Sequence, residues 1–243
     1  MECYLGGDYS AHLLMPLIRL GYFAGTPIRF FTTSLIDVFG SRAWEEMRRR
    51  AHLAFVRDPK KFYTDSRMIA MAEAPADGVF SRFAEMLISY MKKHPDTEIT
   101  LIGHSMGSFI VTELLSRYPQ LPVKNIVFMA AASPVRDTAL VVGPYLAAHP
   151  EAHFYNLCLH PFIDRYDMMD YCVLPCGSIL TWVDMHLTSP GSKEEYSVGE
   201  WEASFLQLPR LMRGVKKQVT IKGFGISDPA TNTVAPDIPS QHT

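Results

Sequence analysis

The sequence predicts an α/β fold in which helices flank a mostly parallel sheet, and three observations lead to this fold class. Strand-like runs and helical periods alternate between residues 77 and 223. The run at residues 125–131 is apolar almost throughout, which is typical of parallel strands that are covered on both faces. A tight Gly-x-Ser-x-Gly turn at residues 103–107 separates one strand from the helix that follows it. The order of elements therefore indicates consecutive βαβ units.

The length and the composition are those of a globular protein. The chain has 243 residues, of which 48% are apolar and 20% are charged, and this excludes a wholly disordered chain. We interpret residues 1–243 as one domain, with a lid or insertion at 161–209 and a Pro-rich C-terminal segment at 227–243. The net charge of −2 gives no field that would attract nucleic acid or an anionic membrane as the main partner.

The N-terminus and the cysteines bear on location and on metals. No basic segment followed by an apolar core stands at the N-terminus, so we predict no secretory signal. The apolar stretch at 13–31 is interrupted by Pro and Arg, which argues against a transmembrane segment, and we expect a cytoplasmic protein. No zinc-site spacing is present, so we expect no metal, no organic cofactor and reduced, buried thiols at Cys3, Cys158, Cys172 and Cys176.

Periodicity and chain breakers define the individual elements. Apolar residues recur at helical spacing over 77–94, the helix stops at Pro95, and a short strand follows at 98–102. After the Gly-x-Ser-x-Gly turn, the same criteria predict helices at 108–118 and 137–148, and strands at 125–131, 154–160 and 218–223.

The N-terminal part is less regular. Helices are predicted at 10–20 and 41–56, and a strand at 28–32. We interpret the run Arg48-Arg49-Arg50 as a solvated face of the second of these helices. At most two strand-like runs precede residue 98, which is few for a large parallel sheet.

The motif Gly103-His104-Ser105-Met106-Gly107 is the strongest chemical signal in the chain. A strand enters it and an apolar helix leaves it, as in a nucleophile elbow, where a strained turn presents the serine hydroxyl at the edge of a sheet. We expect that a Cβ atom at either glycine would collide with the neighbouring strand or helix. The alternative interpretation is a serine turn with a purely structural role.

This motif and the strand–helix alternation around it resemble the α/β-hydrolase superfamily, lipase- and esterase-like members in particular, over about residues 77–223. Complete members usually have eight strands, so the resemblance implies an α/β-hydrolase sheet that lacks the first strands here. Such a sheet would expose an apolar edge and face, and self-association of the chain is a further expectation.

The resemblance implies an oxyanion hole close to the serine. In that scheme Ser105 is the nucleophile, and the backbone N–H of Met106, the next residue, is one oxyanion donor. The second donor would come from an earlier strand–helix loop, and Gly7 in the pair Gly6-Gly7 fits this place. A flexible N-terminal Gly-Gly without a role is the alternative.

The resemblance also implies the chain order serine, acid, histidine. The first choice for the acid is Asp164, after the strand at 154–160, with Asp167 and Asp137 as alternatives. For Asp137, a charge in the first turn of a helix is the simpler interpretation. The first choice for the base is His242, beyond the last strand, and the alternatives are His186 and His160.

The function that the sequence predicts is a serine hydrolase that cleaves carboxylic ester or thioester bonds through an acyl-enzyme. Its expected partner is a small-molecule ester or lipid-like substrate, and aromatic and Met residues at 155–182 suggest an apolar acyl pocket. Two alternatives remain: a non-catalytic binding protein with the same fold, and an acyltransferase.

Overall fold

The computed structural model describes residues 26–56, 78–159, 178–188 and 190–224. Within these ranges the α-helices are Thr26–Leu53 (α1), Val79–Lys93 (α2), Gly107–Arg117 (α3), Val135–Ala148 (α4), Ile179–Trp182 (α5) and Trp201–Leu211 (α6). A π-helix, Val183–Thr188, continues α5 without a break, and a 3-10 helix, Arg213–Gln218, follows α6. None of the described helices is both long enough and apolar enough to cross a bilayer.

The described strands form one parallel sheet in the order of the chain: Ile99–His104 (β1), Val123–Met129 (β2), His153–Leu159 (β3) and Val219–Phe224 (β4). All neighbouring strands are parallel, so all four end at the same edge of the sheet. Segments that follow the strands therefore begin close together, and Ser105 after β1 and Ala130 after β2 lie at this edge. The predicted α/β fold with a mostly parallel sheet is confirmed.

The two faces of the sheet differ in burial. The face that carries Phe128 and Phe154 is fully buried and forms the main core with the helices, and these two rings pack edge to face at 5.2 Å. On the opposite face Ile102, Met129 and Phe224 are 63%, 41% and 42% exposed. The expectation that strand 125–131 is covered on both faces is therefore wrong at Met129, because the described helices pack against the face that carries Phe128 and Phe154.

Most predicted elements agree with the observed ones to within a few residues, and one is wrong. The strand predicted at 28–32 lies inside α1, because a run as short as Ile-Arg-Phe-Phe-Thr fits a strand and a helix equally well. Pro27 stands in the first turn of α1, where proline is tolerated, and no further proline interrupts the helix. Cys158 is buried and unbridged, as predicted, and the helix predicted at 10–20 lies outside the described residues.

The arginine run on α1 is not a uniformly solvated face. The side chain of Arg50 is 74% exposed, as predicted, but that of Arg48 is only 22% exposed. The Arg48 guanidinium lies 5.5 Å from the centre of the Phe109 ring on α3, so part of the run faces the protein. The prediction is wrong for Arg48 because α1 packs against α3 on that side.

Candidate active site

Ser105 occupies a strained turn between β1 and α3. Its φ of 49° lies in the left-handed region, which residues with a Cβ atom adopt only where the surroundings enforce it. Its N–H donates to the Met129 carbonyl at 3.0 Å, and its own carbonyl accepts from the N–H groups of Ser108 at 3.1 Å and Ala132 at 3.2 Å. The end of β2 and the first turn of α3 thus fix the serine backbone.

Ser108 connects the two sides of this turn. Its hydroxyl donates to the Ser105 carbonyl at 2.7 Å and accepts the N–H of Ser133 at 3.0 Å. The Ser133 hydroxyl in turn lies 3.0 Å from the hydroxyl of Thr138 on α4. A chain of buried hydroxyls therefore joins the elbow to α4, although no sequence pattern indicates that these polar residues belong together.

Only one of the two motif glycines is required by close packing. A Cβ atom at Gly103 would lie 3.0 Å from the Cα of Ser108, which is closer than real Cβ contacts normally come. The collision predicted for Gly107 does not occur: no described atom beyond its own helix and its chain neighbours lies within 4 Å of an added Cβ. Gly107 is the first residue of α3 and faces open space there.

The start of α3 offers a donor to a negatively charged atom. The first turn of α3 carries no acidic residue, so the partial positive charge of the helix N-terminus is not neutralised locally. In the described part of the chain, the N–H of Met106 has no backbone acceptor. These are the properties that an oxyanion donor needs.

A second left-handed residue lies beside the elbow. Ala130 has a φ of 43°, and its N–H donates to the Leu157 carbonyl at 3.1 Å. Gly199 packs directly against it, because a Cβ on Gly199 would lie 2.6 Å from the carbonyl carbon of Ala130. The N–H of Gly199 donates to Ala131 at 2.7 Å and that of Val198 to Ser133 at 2.8 Å. The loop after β2 is thus braced by a segment almost 70 residues later in the chain.

Asp184 anchors the π-helix to this bracing segment. Asp184 is 2% exposed, and both of its carboxylate oxygens accept the backbone N–H of Ser197 at 3.1 Å. One of them also accepts the Ser197 hydroxyl at 2.9 Å. The sequence analysis did not single out Asp184, although an acidic residue between Val183 and Met185 in an apolar helix was a usable signal.

An apolar cluster covers one side of the elbow. We call it the elbow cluster, and its buried members are Trp44, Phe109, Ala132, Leu180 and Val183. Met106, Ala130, Ala51 and Leu187 pack against it. The cluster therefore brings α1, α3, α5 and the π-helix together around the residue that follows Ser105.

His52 on α1 and Glu113 on α3 join these two helices, and Ala51, the residue before His52, packs against the elbow cluster. The Glu113 carboxylate lies 3.0 Å from Nδ1 of His52 and also bonds Nε of Arg117. Burial alone would raise the pKa of Glu113, but the hydrogen bonds and charges of His52 and Arg117 outweigh it and lower the pKa below its ordinary value. Glu113 is consequently a carboxylate at neutral pH.

The structure describes some of the predicted site residues and not others. Ser105 and Met106 lie together at the elbow, and His186 lies on the π-helix with its ring 5.5 Å from that of Trp182. Asp137 is in the first turn of α4, as its simpler interpretation predicted, and contacts Arg136 at the surface. The other candidates lie outside the described residues: Gly7, His160, Asp164, Asp167 and His242.

In the ranges that the structure describes, no imidazole forms a hydrogen bond with Oγ of Ser105; Nδ1 of His52 and Nδ1 of His149, for example, bond Glu113 and the Tyr145 carbonyl instead. No group of three or more His, Cys, Asp or Glu residues in these ranges could hold a metal ion.

Comparison with known proteins gives one finding. Residues 49–152 match a family model described as alpha/beta hydrolase fold. The match includes the elbow and runs from the end of α1 to just before β3. No curated protein and no solved structure matches the chain.

Proposed function

Because this chain belongs to the α/β-hydrolase superfamily, we propose that it is a serine hydrolase that cleaves carboxylic ester or thioester bonds. The observation that carries the proposal is the left-handed Ser105, with a φ of 49°, between a parallel strand and a helix N-terminus. Strain of this kind persists where the surrounding structure enforces it, and it is concentrated at active sites. The Ser105 hydroxyl is the nucleophilic group that this proposal places at the turn.

The proposed reaction passes through an acyl-enzyme. Oγ of Ser105 forms a bond to the substrate carbonyl carbon while a histidine takes the hydroxyl proton, and the carbonyl oxygen becomes an oxyanion. The Met106 N–H, with the N-terminus of α3 behind it, stabilises that oxyanion. The histidine returns the proton to the leaving alcohol or thiol, and water then cleaves the acyl-enzyme by the same steps.

For the base and the acid we propose His242 and Asp164. The topology supports this choice because β3 and β4 end at the same edge of the sheet as β1, and Asp164 and His242 follow these two strands in the chain. His160 and Asp167 follow β3 and remain alternatives. His186 is a third candidate for the base, because Val183 and Leu187 of its helix belong to or pack on the elbow cluster.

Labelling with a fluorophosphonate tests the nucleophile directly. We expect the probe to label the wild-type protein at Ser105, as located by mass spectrometry, and not to label Ser105→Ala. Ser116→Ala, an exposed serine on the same helix, is the matched control and should label normally. A folded wild-type protein that takes up no probe would contradict the proposal.

Single alanine substitutions distinguish the candidate bases. We expect His242→Ala to abolish turnover of a p-nitrophenyl ester, whereas His186→Ala and His160→Ala should retain most of it. His94→Ala, at the exposed end of α2, is the control. Loss of turnover in His186→Ala alone would assign the base to the π-helix instead.

A non-catalytic binding protein is the second candidate, and one observation favours it. Within the described ranges, Oγ of Ser105 has no hydrogen bond to an imidazole. The labelling experiment separates the two functions, because a serine without a base reacts slowly with the probe. Adding an alcohol acceptor to the ester assay separates hydrolysis from acyl transfer, since a transferase would form the new ester.

A further inference from the structure

Two buried hydrogen-bond donors on α1 have no acceptor in the described part of the chain. Trp44 is 4% exposed, and its Nε1 is buried without a hydrogen-bond partner. Nε of Arg48, one helical turn further on, is buried and equally lacks a partner. Buried donors without acceptors are rare in native proteins, and each one calls for an explanation such as a ligand.

Both donors lie over the same ring at the start of α3. The Trp44 and Phe109 rings are 6.3 Å apart in an edge-to-face arrangement, and the Arg48 guanidinium carbon is 5.5 Å from the centre of the Phe109 ring. The N–H of Phe109 bonds the carbonyl of Met106 at 3.1 Å. Phe109, which both donor side chains contact, is therefore about one helical turn from the elbow.

The chemistry of the two donors favours an anion. Arg48 uses its outer nitrogen, Nη1, to bond the exposed Glu45 carboxylate at 3.0 Å, but this leaves its buried Nε unsatisfied. A guanidinium that is largely removed from water is stabilised most by a charge-assisted hydrogen bond to an oxyanion. The indole of Trp44 can only donate, so it too selects an acceptor.

The apolar residues of the elbow cluster restrict which kind of chemical group can link this anion to the reacting carbonyl of the substrate. Trp44 shares the elbow cluster with Phe109 and Val183, and Met106, the residue after Ser105, packs against the same cluster. These side chains are apolar, so the part of a ligand that passes them is best matched by an aliphatic spacer.

We propose that Nε1 of Trp44 and Nε of Arg48 bind a carboxylate or phosphate oxygen of the substrate. The substrate class is then an ester whose acyl part carries an anionic group at the end of a short aliphatic chain. The identification of this anion as part of an ester rests on the proposed function, whereas the binding of the anion itself does not.

Direct binding to an inactive variant tests the site without catalysis. We use Ser105→Ala and measure binding of glutarate, of inorganic phosphate and of the neutral analogue glutaramide by calorimetry. We expect glutarate or phosphate to bind and glutaramide to bind at least tenfold more weakly, since only the anions form charge-assisted hydrogen bonds. Whichever anion binds more tightly identifies the group as a carboxylate or a phosphate.

Two substitutions remove one donor each. Trp44→Phe keeps an aromatic ring and loses the N–H, and Arg48→Met keeps a long apolar chain and loses the charge. Each should weaken anion binding about tenfold or more. The matched controls are Trp201→Phe, whose ring stacks on Phe205 at 5.3 Å, and Arg50→Met; neither should change it. Unchanged binding in both test variants, or no anion binding by the folded protein, would overturn the proposal.

Turnover then separates this inference from the proposed function. For the protein with Ser105 intact, we expect a higher kcat/KM for mono-p-nitrophenyl glutarate than for p-nitrophenyl valerate, its neutral match in chain length. Trp44→Phe should reduce that preference about tenfold. If kcat/KM is the same for both esters and Trp44→Phe does not change it, the inferred anion site is contradicted and the proposed hydrolase function is not. Intact anion binding without turnover of either ester contradicts the proposed function alone.

Discussion

The N–H of Ala132 donates a hydrogen bond to the carbonyl of Ser105 across 3.2 Å. This bond joins the loop after β2 to the left-handed serine after β1, so the geometry of the elbow depends on a residue that lies outside the motif. Ser108 strengthens the same connection, since its hydroxyl bonds both the Ser105 carbonyl and the N–H of Ser133. The conformation of Ser105 is thus a property of two strands and a helix together.

Glycine at position 105 should stabilise the protein while it removes the hydroxyl that we propose as the nucleophile. Ser105 has a φ of 49°, and glycine adopts this region without strain, so we expect Ser105→Gly to raise the free energy of unfolding by about 0.5–1 kcal/mol. Ser105→Ala keeps the Cβ and its strain and should stay close to wild type. Urea unfolding measures both variants, and a Ser105→Gly protein less stable than Ser105→Ala would contradict the assignment of strain.

A methyl group at position 199 should disrupt the loop beside the elbow. A Cβ on Gly199 would lie 2.6 Å from the Ala130 carbonyl carbon and 2.6 Å from Cδ1 of Leu180. We expect Gly199→Ala to lower the free energy of unfolding by about 2–3 kcal/mol and to reduce fluorophosphonate labelling of Ser105. Gly214→Ala is the control, because no described atom lies within 4 Å of its added Cβ. Equal stability of these two variants would show that the contact yields easily.

The Asp184 carboxylate should contribute strongly to stability. In Asp184→Asn an amide N–H₂ replaces one of the two oxygens that accept from Ser197, which places two donors against each other in a buried site. We expect the free energy of unfolding to fall by about 2 kcal/mol. Asp96→Asn, in an exposed turn after α2, serves as the control and should change it by less than about 0.5 kcal/mol. Thermal unfolding that leaves Tm unchanged in Asp184→Asn would argue against the anchor.

The stability contributed by Glu113 should decrease as the pH falls. Its pKa in the folded protein lies below the ordinary value of 4.5, so the unfolded chain binds more protons near that pH. The stabilisation is therefore complete above pH 4.5 and is lost as the pH falls below it and through the folded-state pKa.

Glu113→Gln tests this dependence. At pH 7 we expect it to lower the free energy of unfolding by about 1–2 kcal/mol, because His52 and Arg117 lose a charged partner. The difference from wild type should shrink as the pH falls below 4.5. Glu98→Gln, in an exposed pair with Lys124, should show little effect at either pH. A constant difference between pH 7 and pH 3.5 would mean that the carboxylate charge is not responsible.

The parts of the molecule that were predictable from the sequence are those encoded locally. Alternation of apolar residues, Pro95 and the glycines of the motif act over a few residues, so the sheet, most helices and the elbow were correctly predicted. The strand predicted at 28–32 was wrong because a run of only five residues, Ile-Arg-Phe-Phe-Thr, is too short to distinguish the period of a strand from that of a helix. The collision predicted for a Cβ atom at Gly107 was wrong because the space around this residue depends on the direction in which α3 leaves the turn.

Contacts between distant parts of the chain account for the features that the sequence did not reveal. Arg48 resembles a surface residue in a charged run until α1 is placed against Phe109, 61 residues later. Nothing in the sequence pairs Asp184 with Ser197, or Gly199 with Ala130. Trp44 is a similar case, since an indole on an amphipathic helix gives no indication that its N–H will be buried without an acceptor.

The order of the strands has a consequence for how the molecule is made. Each strand of the described sheet lies next to the strand that precedes it in the chain, so every pairing closes a loop between sequence neighbours. A nascent chain that emerges from the ribosome can add β2, β3 and β4 in turn. The loop of residues 130–133 emerges only after β1 and α3, and the segment that braces it emerges later still. The turn at Ser105 therefore gains its final shape late in synthesis, well after its own residues have been translated.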